Sequence, residues 1–218
     1  MTHDAAGKGP RNQVSGTARE EAVEDGLFAG LAHALSNRIS TISVIGQTLE
    51  LGETNPRLMS DTIAQEVGKL EEILRLMRLV PAEGRADPVH IPELKRDLLG
   101  LVRHHRELRG VEVEVAGAPD VFPVVADRPV LLRAILAGIV AAARAGARQL
   151  LVRYEGDEKT VTFTFTSPDG APPPTTPTLG AIAESLGGTI RDAGGWLVLS
   201  LPSLPETRRR EKERGATH

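Results

Sequence analysis

The chain has no cysteine, which excludes disulfides, thiolate metal ligands and a thiol nucleophile together. It fits a reducing compartment. Aromatic residues make up only 3%, so stacking platforms for bases or sugars are scarce and the core must come from Leu, Val, Ile and Ala. There is no basic excess: the formal charge is -3 and the pI near 6.1, so the electrostatic footprint of a nucleic-acid binder is missing. No run approaches the roughly 20 apolar residues of a membrane span, and the first twenty residues contain no apolar leader core. The expectation is a soluble, cytoplasmic protein without nucleic-acid or membrane partners.

What is present is 218 residues with 40% apolar content, enough for one ordinary domain with a helical extension, or for two small domains. Residues 1–19 are polar and Gly/Ser-rich, and residues 204–218 are a mixed charge run; both are expected to be disordered. In 20–82, Phe28, Leu35, Ile42 and Leu49 recur every seven residues, and after "GETNP" so do Ile63, Leu70 and Met77. Two such helices joined by a short turn form an antiparallel hairpin with an apolar stripe, most simply buried by a second copy in a dimeric four-helix bundle. In 88–203 the period alternates. Helical "PELKRDLLGLVRHHREL", strand-like "VEVEV" and "VFPVVAD", an Ala-rich buried helix "RPVLLRAILAGIVAAARAGA", strands "QLLVRYE" and "TVTFTFT", short helix "LGAIAESLGG" and final strand "WLVLSL" follow in turn. This describes an α/β sandwich with helices on one face of a mixed sheet, so the fold class overall is α+β.

One residue has no structural task in this scheme. His33 falls in line with Gly26, Ser40 and Gln47, on the helix face turned away from the heptad seam. A wet imidazole keeps a nucleophilic lone pair near neutral pH. Asn37 lies one turn on, and small Gly30 and Ala34 flank the ring. On these residues alone, a surface histidine without a role and a reactive histidine both stand. His104 and His105 point in different directions from adjacent helix positions and read as a cationic helix terminus, His90 as a loop residue, Trp196 as a cap on the sheet core, and Asp127 as the cap of the Ala-rich helix.

The stretch "LAHALSNRISTI", the second helix, then "IPELKRDLLGLVRHHRELRGVEVEV", "VVADRPVLLRAIL" and "ESLGGTI" together resemble, over about residues 22–202, the cytoplasmic half of a sensor histidine kinase. That half is a dimerising phosphoacceptor hairpin followed by a Bergerat-type ATP-binding domain, and the resemblance implies that His33 is the phosphoacceptor. Four departures accompany it. Gly138 and Ala142 stand where the family carries Mg²⁺-ligating asparagines, and neither offers the hard oxygen that Mg²⁺ needs. Ser167 replaces the aspartate that accepts the adenine amino group, with Asp169 out of register, and the lid is cut to the proline-stiff "APPPTTPTLG". The family's acidic residue after the histidine is Ala34 here. The implied function is a dimeric histidine phosphotransferase with a degenerate ATPase-like domain and no cofactor of its own. It would exchange phosphoryl groups with response-regulator receiver domains, which bring the Mg²⁺, and with a hybrid histidine kinase. Asn37 is the candidate for placing the phosphoryl group or a hydrolytic water, and Ala34, Arg38, Thr41 and Ile45 are the candidate docking residues. A divergent ATP-dependent kinase and a non-catalytic dimeric adaptor or inhibitor are the alternatives.

Overall fold

A computed structural model describes residues 14–51, 55–79, 85–168 and 175–215. Helix α1 (Val14–Glu50) and helix α2 (Pro56–Met77) form the antiparallel hairpin. Asn55 caps α2, its side chain accepting from the Arg57 N–H at 3.0 Å. Helix α1 starts earlier than the polar composition suggests: residues 14–19 are helical, extended by the strong helix formers of "AREEA". The rest of the segment expected to be disordered, residues 1–13, lies outside the described residues.

The remainder runs β1 (Asp87–Val89), α3 (Ile91–His104), a 3₁₀ turn (Arg106–Leu108), β2 (Glu112–Gly117), β3 (Val124–Ala126), α4 (Arg128–Arg144), β4 (Gln149–Gly156), β5 (Thr160–Thr166), α5 (Pro177–Ser185), β6 (Thr189–Asp192), β7 (Leu197–Pro202) and α6 (Leu204–Gly215). Five strands form a mixed sheet in the order β2-β4-β5-β7-β6, with β2 parallel to β4 and the other pairs antiparallel; β1 and β3 form a separate two-stranded ribbon. In β4 and β5 the buried residues alternate strictly, Leu150, Val152 and Tyr154 against Val161, Phe163 and Phe165, so one sheet face carries the core. Helix α4, capped by the Asp127 carboxylate, lies in this core with Leu131, Leu132, Ile135, Leu136 and Ile139 all fully buried.

The tail expected to be disordered is the helix α6. Ser203 caps its start: it is fully buried, its hydroxyl accepts from the Glu206 N–H at 3.3 Å while its own N–H donates to the Lys159 carbonyl at 3.0 Å, and Pro205 sits in the first turn. Glu206 is buried too, and hydrogen bonds from Arg209 and then Arg210 hold its carboxyl below the usual range. Trp196 does not cap the sheet core. It sits in the Gly194–Gly195 turn before β7 and is 55% exposed, because the hairpin closes through the Ala193 N–H to Trp196 carbonyl bond and leaves the indole outside.

The hairpin is joined to the α/β domain at several points. Leu76 of α2 is fully buried and fills the space left by Gly100 of α3. Asp97 of α3, 5% exposed, receives Arg75 from α2 and Arg128 from α4, the latter at 2.9 Å. On α1, Leu27 and Leu31 join the main core, Glu24 pairs with Arg133 of α4, and Gly30 lies directly on the His104 carbonyl. Only a residue without Cβ permits that approach. Burial, reinforced by the charge of Arg103, holds the His104 imidazole below its ordinary value.

Candidate functional site

The surface of α1 opposite its buried edge is built by spacing. Leu27, Leu31 and Ile45 face inward, so His33, Asn37 and Val44, four and seven residues apart, share the exposed face. Val44 is 59% exposed, an apolar residue about three turns from the histidine on the same face, which the heptad reading does not single out. The Asn37 Nδ2 lies 3.3 Å from the His33 Nε2. With the amide donating, Nε2 is the acceptor and the neutral ring carries its proton on Nδ1. Ala34, the residue after the histidine, offers no carboxylate to the ring. Asn37 is itself held in the helix wall, where its carbonyl accepts from the Thr41 hydroxyl at 2.9 Å. Chemically, the pair is an exposed imidazole with a side-chain amide 3.3 Å from one ring nitrogen.

The four candidate docking residues divide. Thr41 is exposed on the outer side. Ala34 is half-buried and packs against the core. Arg38 turns to α2, where its guanidinium meets the Glu66 carboxylate at 3.0 Å. Ile45 is 8% exposed, packed within the hairpin, and so does not reach a docking surface. The reason is geometric. The helix face next to α2 takes positions 38 and 45, and Glu66, 5% exposed, is fixed there by Lys69 at 2.6 Å as well as by Arg38. Hydrogen bonds from Lys69 and then Arg38 hold the Glu66 carboxyl below its ordinary range. Nothing in the sequence period marks this long-range pairing.

The positions that would serve a nucleotide lie inside the α/β domain. Ala142 is fully buried, and Gly138 faces the sheet, where a Cβ would stand 2.8 Å from Cε1 and 2.9 Å from Cζ of Phe165. An asparagine at 138 therefore requires the Phe165 ring to move. The donor set does not fit Mg²⁺, since neither residue has a side-chain oxygen. Ser167 follows β5 and is half-buried, while Asp169 and most of the shortened lid, residues 169–174, lie outside the described residues. Among the described residues no three His, Asp or Glu side chains are grouped to hold a metal ion. No described helix is long and apolar enough to cross a membrane.

No protein-family model matches the chain, and no curated protein matches it. Among solved structures it is similar to the Acinetobacter baumannii histidine kinase AdeS, at 16% identity over 78% of this chain and 96% of that one, with a TM-score of 0.44. It is similar to the ATP-binding domain of PrrB from Mycobacterium tuberculosis, at 20% identity over 54% of this chain and 97% of that one, with a TM-score of 0.45. It is also similar to the histidine kinase ThkA, solved in complex with the response regulator protein TrrA, at 16% identity over 91% of this chain and 70% of that one, with a TM-score of 0.41.

Proposed function

We propose that this chain is a dimeric histidine phosphotransferase of a two-component phosphorelay, exchanging a phosphoryl group between His33 and receiver-domain aspartates without binding ATP. The observation that carries the reading is the exposed His33 ring with the Asn37 amide on its Nε2 at 3.3 Å. In the forward step the Nε2 lone pair attacks the phosphorus of a receiver's aspartyl phosphate in line. The N–P bond forms, the bond from phosphorus to the carboxylate oxygen breaks, and the aspartate leaves as carboxylate while the proton stays on Nδ1. The Asn37 amide, released from the lone pair, turns to a phosphoryl oxygen. The partner would be a response regulator, the class of protein named with ThkA in its solved complex, and it would bring the Mg²⁺ that neutralises the phosphoryl oxygens.

Two further observations favour this reading over the divergent kinase. Phe165 occupies the space a side chain at 138 needs, and Ala34 stands where the kinases place an acidic residue. The apolar stripe supports a homodimer: Phe28 is 41%, Ile39 52%, Val67 41% and Leu74 47% exposed in one chain, beside half-buried Leu35, Ile42, Ile63 and Leu70. A second hairpin covers these residues and leaves the His33 face open. The test is transfer of radiolabelled phosphoryl from a phosphorylated receiver. His33→Gln should lose it completely while remaining folded and dimeric, and undiminished transfer would refute the assignment. ATP binding by the unmodified chain in the presence of Mg²⁺ would return the kinase reading.

A further inference from the structure

A phosphoryl group on His33 carries about two negative charges. Helix α1 has no cation near enough to oppose them: residues 26–37 contain no Lys, Arg, Asp or Glu, and the next charged residue, Arg38, is held by Glu66 within the hairpin. A counter-charge from this chain has to come from outside that stretch.

The α/β domain brings one to the right end of the helix. Gly26, Gly30, Asn37 and Thr41 fall within about 40° of one line along α1, and the His33 side chain projects about 60° to one side of it. The corner between α3 and the 3₁₀ turn sits on the first half of that line. There the His105 ring covers Gly26, the His104 carbonyl lies on Gly30, and the Arg106 backbone nitrogen is 3.7 Å from the point where a Gly30 Cβ would stand. His33 is three residues beyond Gly30, a spacing of about 5–6 Å between Cβ positions, so that nitrogen lies within roughly 9 Å of the His33 Cβ. An extended arginine and a phosphoryl group on the imidazole together span this gap. The corner is also cationic. Arg103, Arg106 and Arg109 are exposed and have no ion-pair partner among the described residues. Glu107, the one acid among residues 103–109, is neutralised by Arg144 through two bonds of 2.7 Å.

We infer that Arg106 binds the phosphoryl group of phosphorylated His33, its guanidinium joining the Asn37 amide on the phosphoryl oxygens and holding the group while no receiver is docked. The inference rests on the reading of His33 as the phosphoacceptor. No bond is made or broken at Arg106; it supplies charge-assisted hydrogen bonds to a dianion from a side chain that is otherwise unengaged. The degenerate domain thereby contributes to the chemistry of α1 through its corner, away from positions 138 and 142.

The test needs no receiver. Phosphoramidate delivers its phosphoryl group to an imidazole nitrogen with ammonia leaving, and the full chain is treated with it. The His33 signal is assigned by phosphorus NMR as the one that His33→Gln lacks, and its shift is followed with pH through the second ionisation of the phosphoryl group. A neighbouring guanidinium favours the dianion, so Arg106→Gln should raise the midpoint by about 0.3–0.7 pH units, and Arg106→Lys should restore most of that change. Arg191→Gln, which removes an exposed arginine from the edge strand β6, should leave the midpoint in place. An unchanged midpoint in Arg106→Gln, an equal rise in Arg191→Gln, or the absence of any signal that depends on His33 would each overturn the inference. Transfer from a phosphorylated receiver is measured separately. An unchanged midpoint with intact transfer removes the role of Arg106 alone, and a raised midpoint without transfer removes the phosphotransfer reading alone.

Discussion

The two halves of α1 live in different environments. Residues 24–31 are held against the α/β domain through Leu27, Leu31, the Glu24–Arg133 pair and the close approach of Gly30 to the His104 carbonyl. Residues 36–50 touch α2 through Arg38 and Ile45 and leave Ile39 and Val44 in water. His33 stands at the border. A phosphoacceptor benefits from this position, because the helix beneath the ring is anchored on one side while the other side is free for a partner. The small and polar residues of this segment, Gly30, Ala34 and Asn37, serve both requirements at once.

The contrast can be broken most severely at its dry end. Gly30→Val drives a branched side chain into the His104 carbonyl, and the backbone must part. A loss of about 3 kcal/mol or more is expected in denaturant unfolding, at the upper end for overpacked sites. Asp97→Ala comes next. It leaves Arg75 and Arg128 without their shared buried carboxylate, and removing one member of such a cluster costs about 3–5 kcal/mol when fully buried and less here, since both arginines are about one-third exposed. A smaller effect follows from pH. The folded value of His104 lies below the unfolded one of about 6.5, so the unfolded chain binds more protons in that interval. Stability contributed by the neutral ring is complete above about pH 6.5 and declines as pH falls through the lowered folded value. Thermal melts between pH 7.5 and 5.5 should show that decline, and His104→Gln should flatten it. At the wet end, Val44→Ser should change stability by less than about 0.5 kcal/mol, the usual range for an exposed position, yet weaken receiver binding measured by titration.

Much of this architecture can be read from residue order. The seven-residue spacing announces the hairpin, the alternation in "TVTFTFT" announces β5, and Asp127 before Arg128 and Pro129 announces the start of α4. Strands β1 and β6, with three and four residues, are too short for a period to register. Helix α6 was legible in principle, because Ser203 stands at its N-cap with Pro205 in the first turn, but its charged composition masks the signal. The heptad points to the right helices but not to which edge is driest. Phe28 stays exposed while Leu27 and Leu31 are buried, because the α/β domain, distant in sequence, covers the neighbouring edge of α1. For the site, the exposure of His33 and the proximity of Asn37 follow from helical spacing alone. The turning of Arg38 and Ile45 away from the His33 face goes with the pairing of Arg38 to Glu66, some thirty residues away, and no local pattern reveals it.

The Phe165 ring against Gly138 works as a ratchet on sequence change. Introducing an amide side chain at 138 first meets an occupied space, and trimming the ring first leaves a void of phenyl size, which typically costs about 3–5 kcal/mol. Each single step crosses a less stable intermediate, so the two positions must change together. A lineage that carries this pair is therefore held away from an amide-bearing α4 by packing alone, whatever selection acts on its chemistry.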